Sequence, residues 1–145
     1  MADITITAPD GGNFGAYMAT PASGSGPGLV VIQEIFGVNQ VMRDICDGFA
    51  DDGYIAVCPD LFWRQEPGIQ LTDKSEEEWS RAFELMNGFL PNFEQGVGDL
   101  GATLAHVRGL DGCTGKAGAV GYCLGGSLAY AMACFTDCDA SVGYY

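Results

Sequence analysis

Lys116-Ala-Gly-Ala-Val-Gly-Tyr-Cys-Leu-Gly-Gly-Ser-Leu-Ala-Tyr-Ala-Met-Ala133 is the stretch that decides the fold. It opens with small and β-branched residues that favour a strand, turns around Cys123, and closes on a helix-forming segment. Residues 121–125 match the pattern G-x-nucleophile-x-G, with Cys at the nucleophile position. The flanking glycines let the apex residue take a strained conformation and let strand and helix pack closely. The stretch therefore predicts strand, sharp turn and helix, with a thiol at the apex.

Composition and charge restrict the class of protein. The chain has 145 residues, 48% of them hydrophobic and 17% charged, which suits one globular domain with a core. It contains no apolar run of the ~20 residues that a membrane span needs, and no basic-then-apolar export signal at its start. We expect a cytoplasmic protein. The net charge of −13 repels nucleic acid and anionic membranes, so neither is an expected partner.

The six cysteines and the glycine-rich segments do not form familiar cofactor motifs. No C-x-x-C pair occurs and the chain has one His, so we expect no metal site, no cofactor and reduced thiols. Gly112-Cys-Thr-Gly-Lys116 has the wrong spacing for a phosphate-binding loop, and Ala117 replaces its Ser or Thr. The glycines of residues 121–126 also lack the dinucleotide-binding spacing.

The remaining chain alternates between strand and helix patterns. Residues 3–7 and 15–20 flank a turn signal and predict an antiparallel hairpin, followed by a flexible connector over residues 21–28. This alternation predicts an α/β three-layer α/β/α sandwich with a mostly parallel sheet. The patterns further predict strands over residues 29–32, 54–58 and 140–145 and a turn over 112–115. Three helices are predicted to begin at the cap Asn39, at the capping box of Ser75 and Glu78, and at Pro91.

The position of the apex thiol in such a fold favours a catalytic role. A residue at this turn points out of the carboxyl edge of the sheet, where α/β proteins bind ligands. The helix N-terminus stabilises a thiolate, and the backbone N–H of Leu124 is placed to stabilise an oxyanion. The alternative interpretation is that Cys123 is a small apolar residue in a tight turn.

Four motifs together resemble the dienelactone hydrolase family, over essentially the whole chain. They are Val31-Ile-Gln-Glu-Ile-Phe-Gly-Val-Asn39, Val57-Cys-Pro-Asp-Leu-Phe62, Gly121-Tyr-Cys-Leu-Gly-Gly-Ser127 and Ser141-Val-Gly-Tyr-Tyr145. The resemblance implies an α/β-hydrolase fold and a Cys-His-Asp triad that opens small-molecule lactones or esters, a carboxymethylenebutenolidase-type reaction, through a thioester acyl-enzyme.

The same resemblance implies roles for individual residues. Cys123 matches the nucleophile. Glu34 matches a carboxylate that keeps the thiol out of its reactive pose until substrate binds. Ile35 matches the residue whose N–H completes the oxyanion hole with Leu124.

The resemblance also suggests a substrate pocket. The family holds its substrate carboxylate with arginines, one of them on the helix that here contains Phe83. Aligning Phe83 with the family aromatic puts Trp79 at the arginine position, and Arg81 lies two residues away on another helix face. Arg81 is therefore either a carboxylate clamp or a solvated charge, and Phe36 and Phe83 are candidate pocket residues.

The family's Asp and His follow the elbow in the chain, and here no residue takes their places. His106 precedes the elbow, and Asp137 and Asp139 lie in the wrong segment. We expect residues 1–145 to form a single incomplete α/β-hydrolase domain, truncated after the strand that follows the elbow helix and monomeric when complete. Alone it should have negligible lactonase activity and an unpaired hydrophobic sheet edge. The alternative is an inactive fragment or a non-catalytic α/β binding domain.

Overall fold

A computed structural model describes all of residues 1–145, and strands and helices alternate in it as the sequence patterns predict. The strands are β1 (Ala2–Thr7), β2 (Asn13–Ala19), β3 (Gly26–Ile32), β4 (Ile55–Pro59), β5 (Cys113–Tyr122) and β6 (Ser141–Tyr144). The helices are α1 (Gln40–Asp51), α2 (Glu76–Phe89), α3 (Phe93–Arg108) and α4 (Leu124–Phe135).

All six strands form one sheet in the order β1-β2-β4-β3-β5-β6. The predicted hairpin is confirmed, because β1 and β2 pair antiparallel, and β2 also runs antiparallel to β4. The pairings of β3 with β4, of β3 with β5 and of β5 with β6 are parallel. Since parallel strands end at the same side of a sheet, the segments that follow β3, β4 and β5 meet at one edge.

Helices cover both faces of the sheet and create two cores. The odd and even positions of the central strands face opposite sides, as strand geometry requires. One core lies under α1 and includes Val31, Met42, Cys46, Ala56 and Val120. The larger core lies under α2, α3 and α4 and includes Val30, Ile32, Val57, Leu85, Leu100 and Leu128.

Two helix caps form as predicted. The Asn39 side chain accepts a hydrogen bond from the Met42 N–H at 3.2 Å, and the Ser75 side chain accepts one from the Glu78 N–H at 3.2 Å. The Glu78 carboxylate reaches back to the Thr72 N–H at 2.8 Å, three residues beyond the usual capping-box target. Both caps satisfy backbone donors that a helix N-terminus leaves free.

Three predicted boundaries are wrong. Only Gly112 of the turn expected over residues 112–115 lies in a turn; residues 113–115 belong to β5, because Cys113 pairs with Gly26 and the register shifts between Gly26 and Gly28. For the same reason the connector ends at residue 25. Pro91 lies in a short 3-10 turn that joins α2 to α3, and α3 begins two residues later.

The sheet ends at β6, and an apolar surface lies around that edge, as predicted for an unpaired edge. A concavity of about 700 Å³ adjoins α4 and β6. Its lining includes exposed aromatic side chains of Tyr130, Phe135, Tyr144 and Tyr145. None of the helices combines the length and apolarity that a membrane span requires.

Candidate active site

Cys123 lies at the turn between β5 and α4 and has a strained backbone, with φ 57° and ψ −115°. A non-glycine residue rarely adopts a positive φ, and such strain is found mainly where function requires it. The turn closes tightly, since a Cβ at Gly121 would overlap the carbonyl group of Gly125. The predicted elbow geometry is therefore present, and the two flanking glycines are sterically required.

The elbow packs directly against the end of β3. Ile32 is the register partner of Gly121 in the parallel pairing of β3 with β5. A Cβ at Gly125 would lie 2.5 Å from the Ile32 carbonyl oxygen and 2.6 Å from that of Gln33. The β3–α1 loop, residues 33–39, thus begins beside the turn that carries Cys123.

Several backbone N–H groups at this junction have no acceptor, and two of them belong to Leu124 and Ile35, the residues predicted to form an oxyanion hole. Leu124 is the first residue of α4, where a helix provides no intrahelical partner for its N–H. Ile35 is only 4% exposed, yet its N–H makes no hydrogen bond with any group of the chain. Buried backbone donors are nearly always paired, so free donors beside a thiol can bind the oxygen of an incoming molecule.

Glu34 is half-buried next to Ile35 and its carboxylate accepts a hydrogen bond from the Tyr145 hydroxyl at 2.9 Å. This hydrogen bond, followed by burial and the nearby charge of Glu34, raises the pKa of Tyr145. No hydrogen bond joins Glu34 to the Cys123 thiol. The Cys123 N–H donates to the Tyr144 carbonyl at 3.0 Å, which ties the elbow to β6.

The candidate pocket residues Phe36 and Phe83 meet through Trp79. The rings of Phe36 and Trp79 pack edge to face with centroids 5.0 Å apart, and Trp79 lies 5.6 Å from Phe83. The sequence motifs alone indicate no pocket role for Trp79. Its four-residue spacing to Phe83 on a helix was the available signal, because residues at this spacing share a face.

Arg81 does not join this aromatic group. Its guanidinium forms ion pairs with Glu84, at 2.6 Å, and with Glu66. All three side chains are substantially exposed to solvent. In this arrangement Arg81 is a surface charge already engaged by two carboxylates.

His106 lies at the end of the sheet opposite to Cys123. It belongs to the last turn of α3, and its neighbour Val107 packs on Gly28 near the start of β3. Gly28 pairs with Ala117, which lies six residues before Cys123, a separation of roughly 20 Å along the strand direction. The position agrees with the expectation that His106 is not the base of the elbow.

Asp137 and Asp139 lie at the same end of the sheet as His106, away from Cys123. Asp139 accepts hydrogen bonds from Lys116 at 2.9 Å and Arg108 at 3.0 Å, and these groups lower its pKa, the Lys116 hydrogen bond most. Arg108 also pairs with Asp137 at 2.7 Å. Both carboxylates thus hold the entry to β6 and cannot reach Cys123.

Gln33 belongs to the motif of residues 31–39, but the motif alone indicates no role for it. Its side chain is fully buried, and both ends of its amide are hydrogen-bonded. A polar amide directly after the apolar run of β3 was the signal, because buried polar groups persist only where they have partners.

A central parallel sheet with a strained strand-to-helix turn at Cys123, between β5 and α4, defines the fold as that of the α/β hydrolases. A model of the dienelactone hydrolase family matches residues 14–145, and the chain belongs to that family.

Individual relatives agree with this assignment. The chain is 56% identical to a provisionally named carboxymethylenebutenolidase of Azospirillum brasilense, over 100% of this chain and 62% of that protein. It is 45% identical to the carboxymethylenebutenolidase of Pseudomonas putida, over 98% of this chain and 59% of the relative. The chain thus spans about six-tenths of the length of these relatives.

Among solved structures, a provisionally assigned dienelactone hydrolase from Klebsiella pneumoniae superposes with a TM-score of 0.72 at 30% identity. That match covers 94% of this chain and 56% of the Klebsiella chain. The chain is therefore similar to hydrolases of this family in sequence and in fold.

Proposed function

We propose that this chain supplies the nucleophile and the oxyanion hole of a carboxymethylenebutenolidase-like hydrolase that opens lactones or other esters. The observation that carries the proposal is the strained Cys123 beside two unpartnered N–H groups, those of Leu124 and Ile35. The relatives named carboxymethylenebutenolidase support the substrate class.

The chemistry follows from this arrangement. The Cys123 thiolate attacks the carbonyl carbon, a C–S bond forms, and the carbonyl electrons move onto oxygen. That oxyanion accepts hydrogen bonds from Leu124 and Ile35, which stabilise the transition state more than the ground state. Its collapse expels the alkoxide of the ester or lactone and leaves a thioester, which water then hydrolyses.

Glu34 is proposed to control the thiol, as the family resemblance implies. Its carboxylate lies in the loop that carries Ile35 and is held by Tyr145. A substrate that breaks the hydrogen bond between Tyr145 and Glu34 would free the Glu34 carboxylate to move, and its negative charge would then act on Cys123 from a different position.

The general base and its orienting acid are proposed to lie outside residues 1–145. His106, Asp137 and Asp139 all lie at the end of the sheet opposite to Cys123. We infer that residues 1–145 form one part of a single α/β-hydrolase domain, and that the apolar surface at β6 is completed by the rest of that domain.

The pocket is proposed to hold the substrate against Phe36 and Phe83, with Trp79 between them. Arg81 would have to leave Glu66 and Glu84 before it could bind a substrate carboxylate. If Arg81 binds the substrate carboxylate, Arg81→Ala raises the KM for an anionic lactone in an enzyme that has the full length of the relatives. An unchanged KM removes Arg81 from the site.

A stoichiometric acylation experiment tests the proposal without requiring turnover. The chain is treated with p-nitrophenyl acetate, and acetylation of each cysteine is followed by peptide mass spectrometry. Cys123 should be acetylated faster than the exposed Cys134, and Cys123→Ala should lose that fast phase. Equal acetylation of the two cysteines would contradict the proposal.

The alternative is a binding domain that retains the elbow without catalysis. Steady lactone hydrolysis by residues 1–145 should be negligible, since this part of the chain offers no base near Cys123. Turnover that disappears in Cys123→Ala would show that the base is present after all. Absence of the fast acetylation phase favours the binding domain.

A further inference from the structure

We infer that Gln33 is a positioning residue, which aims the N–H of Ile35 into the oxyanion site by holding the preceding carbonyl group. This inference rests on the proposed function of the elbow. It identifies the side chain that creates the free donor, a role that no motif spacing reveals.

The Gln33 amide connects two loops through both of its ends. Its Oε1 accepts a hydrogen bond from the Leu61 N–H at 3.0 Å, and its Nε2 donates to the Glu34 carbonyl oxygen at 3.3 Å. The Leu61 N–H can only donate, so the oxygen must face Leu61 and the NH₂ group must face Glu34. The orientation of the amide is therefore determined by its partners.

One of these hydrogen bonds controls the peptide unit of interest. The Glu34 carbonyl and the Ile35 N–H belong to the same planar trans peptide, in which the C=O and N–H point in opposite directions. When Gln33 draws the carbonyl toward itself, the N–H must point away from Gln33. The structure agrees with this direction, because the N–H of Ile35, a buried residue, has no acceptor within the chain.

The anchor of this arrangement is rigid. Gln33 is completely buried, and Leu61 belongs to the loop after β4, residues 60–71, which the Asp60 carboxylate holds through Phe62 and Gly68. The same loop binds the far side of the β3–α1 loop, where the Leu71 N–H donates to the Phe36 carbonyl at 2.8 Å. A side chain fixed at both ends can hold a peptide plane that would otherwise turn to satisfy its own donor.

Two reactions of one thiol distinguish positioning from general stability. Acetylation by p-nitrophenyl acetate passes through an oxyanion and needs the Ile35 N–H. Alkylation by iodoacetamide displaces iodide and forms no oxyanion, so it reports only the exposure and ionisation of Cys123. The measured quantity is the ratio of the two rates at Cys123, divided by the same ratio at the exposed Cys134.

Gln33→Met keeps the length of the side chain and removes both hydrogen bonds. We expect acetylation of Cys123 to fall at least about tenfold while alkylation changes less than about twofold, because one oxyanion donor loses its alignment. A matched control is Gln65→Met, which also removes a side-chain amide from a backbone carbonyl, that of Leu85 in α2 at 2.9 Å; Gln65 belongs to the loop of residues 60–71 but does not bond to the β3–α1 loop. The control should leave the ratio unchanged.

Gln33→Glu separates the two hydrogen bonds. Once ionised, its carboxylate can still accept from Leu61 but cannot donate to the Glu34 carbonyl, so the ratio is measured over a pH series that passes the pKa of the buried carboxyl. The ratio should fall as in Gln33→Met, and thermal unfolding establishes which variants are folded. A folded variant of either kind with a wild-type ratio overturns the inference, as does a parallel loss of acetylation and alkylation.

A third arm uses the unsubstituted chain. A trifluoromethyl ketone adds reversibly to a thiolate and creates a stable oxyanion, so the amide proton of Ile35 should move downfield in a nitrogen-labelled sample. An unmoved Ile35 resonance in the adduct overturns the inference. If wild-type Cys123 forms no adduct and is acetylated no faster than Cys134, the proposed function itself has failed.

Discussion

The loops after β3 and β4 follow neighbouring parallel strands, yet they differ in whether a buried side-chain carboxylate accepts hydrogen bonds from their backbone N–H groups. After β4, the buried Asp60 carboxylate accepts hydrogen bonds from the N–H groups of Phe62, at 3.0 Å, and Gly68, at 2.8 Å. After β3, the N–H of Ile35 is left free. A loop that carries its own acceptor is a scaffold, whereas a loop that leaves a donor unpaired can accept an oxygen from outside.

The two regions also differ in what holds them in place. The loop of residues 60–71 is fastened to α3 because the buried Asp99 accepts from Arg64 and, at 3.0 Å, from the Trp63 indole N–H. The Arg64 guanidinium also lies 4.2 Å from the Trp63 ring centroid. At the elbow, by contrast, the structure concentrates backbone strain and close glycine contacts. Damage to the first region should cost stability, and damage to the second should cost the chemistry of Cys123.

The largest effect is expected at the elbow. Gly121→Ala places a methyl group onto the backbone of Gly125, which cannot move aside without opening the turn. We expect a loss of about 5 kcal/mol or more of unfolding free energy, together with loss of the fast acetylation of Cys123. Urea unfolding and the acetylation assay measure both.

The matched control is Gly101→Ala in α3, where a Cβ meets nothing within 4 Å. That substitution should stabilise the chain by about 0.5–1 kcal/mol, since alanine is the better helix former. A Gly121→Ala protein that unfolds like wild type and retains fast acetylation would remove the steric argument for the elbow.

A large effect on stability alone is expected in the scaffold. Arg64→Met leaves the fully buried carboxylate of Asp99 without its ion pair, and we expect a loss of about 3–5 kcal/mol. The comparison variant is Arg81→Met, whose pairs with Glu66 and Glu84 are exposed and screened by water, so this substitution should destabilise the chain far less. Equal destabilisation by the two substitutions, measured by urea unfolding, would contradict this difference in burial.

A smaller effect is expected from Asp60→Asn, and it should depend on pH. Burial raises the pKa of Asp60, against the lowering effect of the Gly68 and Phe62 N–H groups. The folded state therefore holds this proton more tightly than the unfolded state, so the group's contribution to stability falls as pH rises from about 4 through the folded pKa.

Asn cannot ionise and keeps one acceptor oxygen, so its baseline cost should be about 1–2 kcal/mol. The variant should improve relative to wild type as pH rises through that window, which urea unfolding at a series of pH values measures. A stability difference that is constant with pH, or that moves in the other direction, would refute the assignment.

The sequence was sufficient for features that depend on local pattern. The glycine spacing around Cys123 predicted a strained turn, because only a few backbone geometries allow a strand to reverse into a helix within so few residues. The caps at Asn39 and Ser75 were predictable for the same reason, since a side-chain acceptor three residues before a free N–H is a local arrangement.

Features that depend on pairing across the chain were mistaken or missed. Gly112 and Gly115 suggested a turn, but pairing of Cys113 with Gly26 extends β5 through Gly115. The aromatic contact of Phe36 with Trp79 joins residues more than forty positions apart, and no spacing rule predicts it. Arg81 could be listed as a clamp candidate, but only the structure shows its partners Glu66 and Glu84.

By itself the sequence determined the fold class, the family and the position of the thiol, because these follow from short-range patterns of glycine, apolar residues and motif order. Only the tertiary structure decided which donors near Cys123 are free. Whether the Ile35 N–H is paired depends on Gln33, and the orientation of Gln33 depends on Leu61 in another loop. Whether a hydrogen-bond donor is free depends on all the groups that surround it, and these come together only when the strands pair in the folded chain.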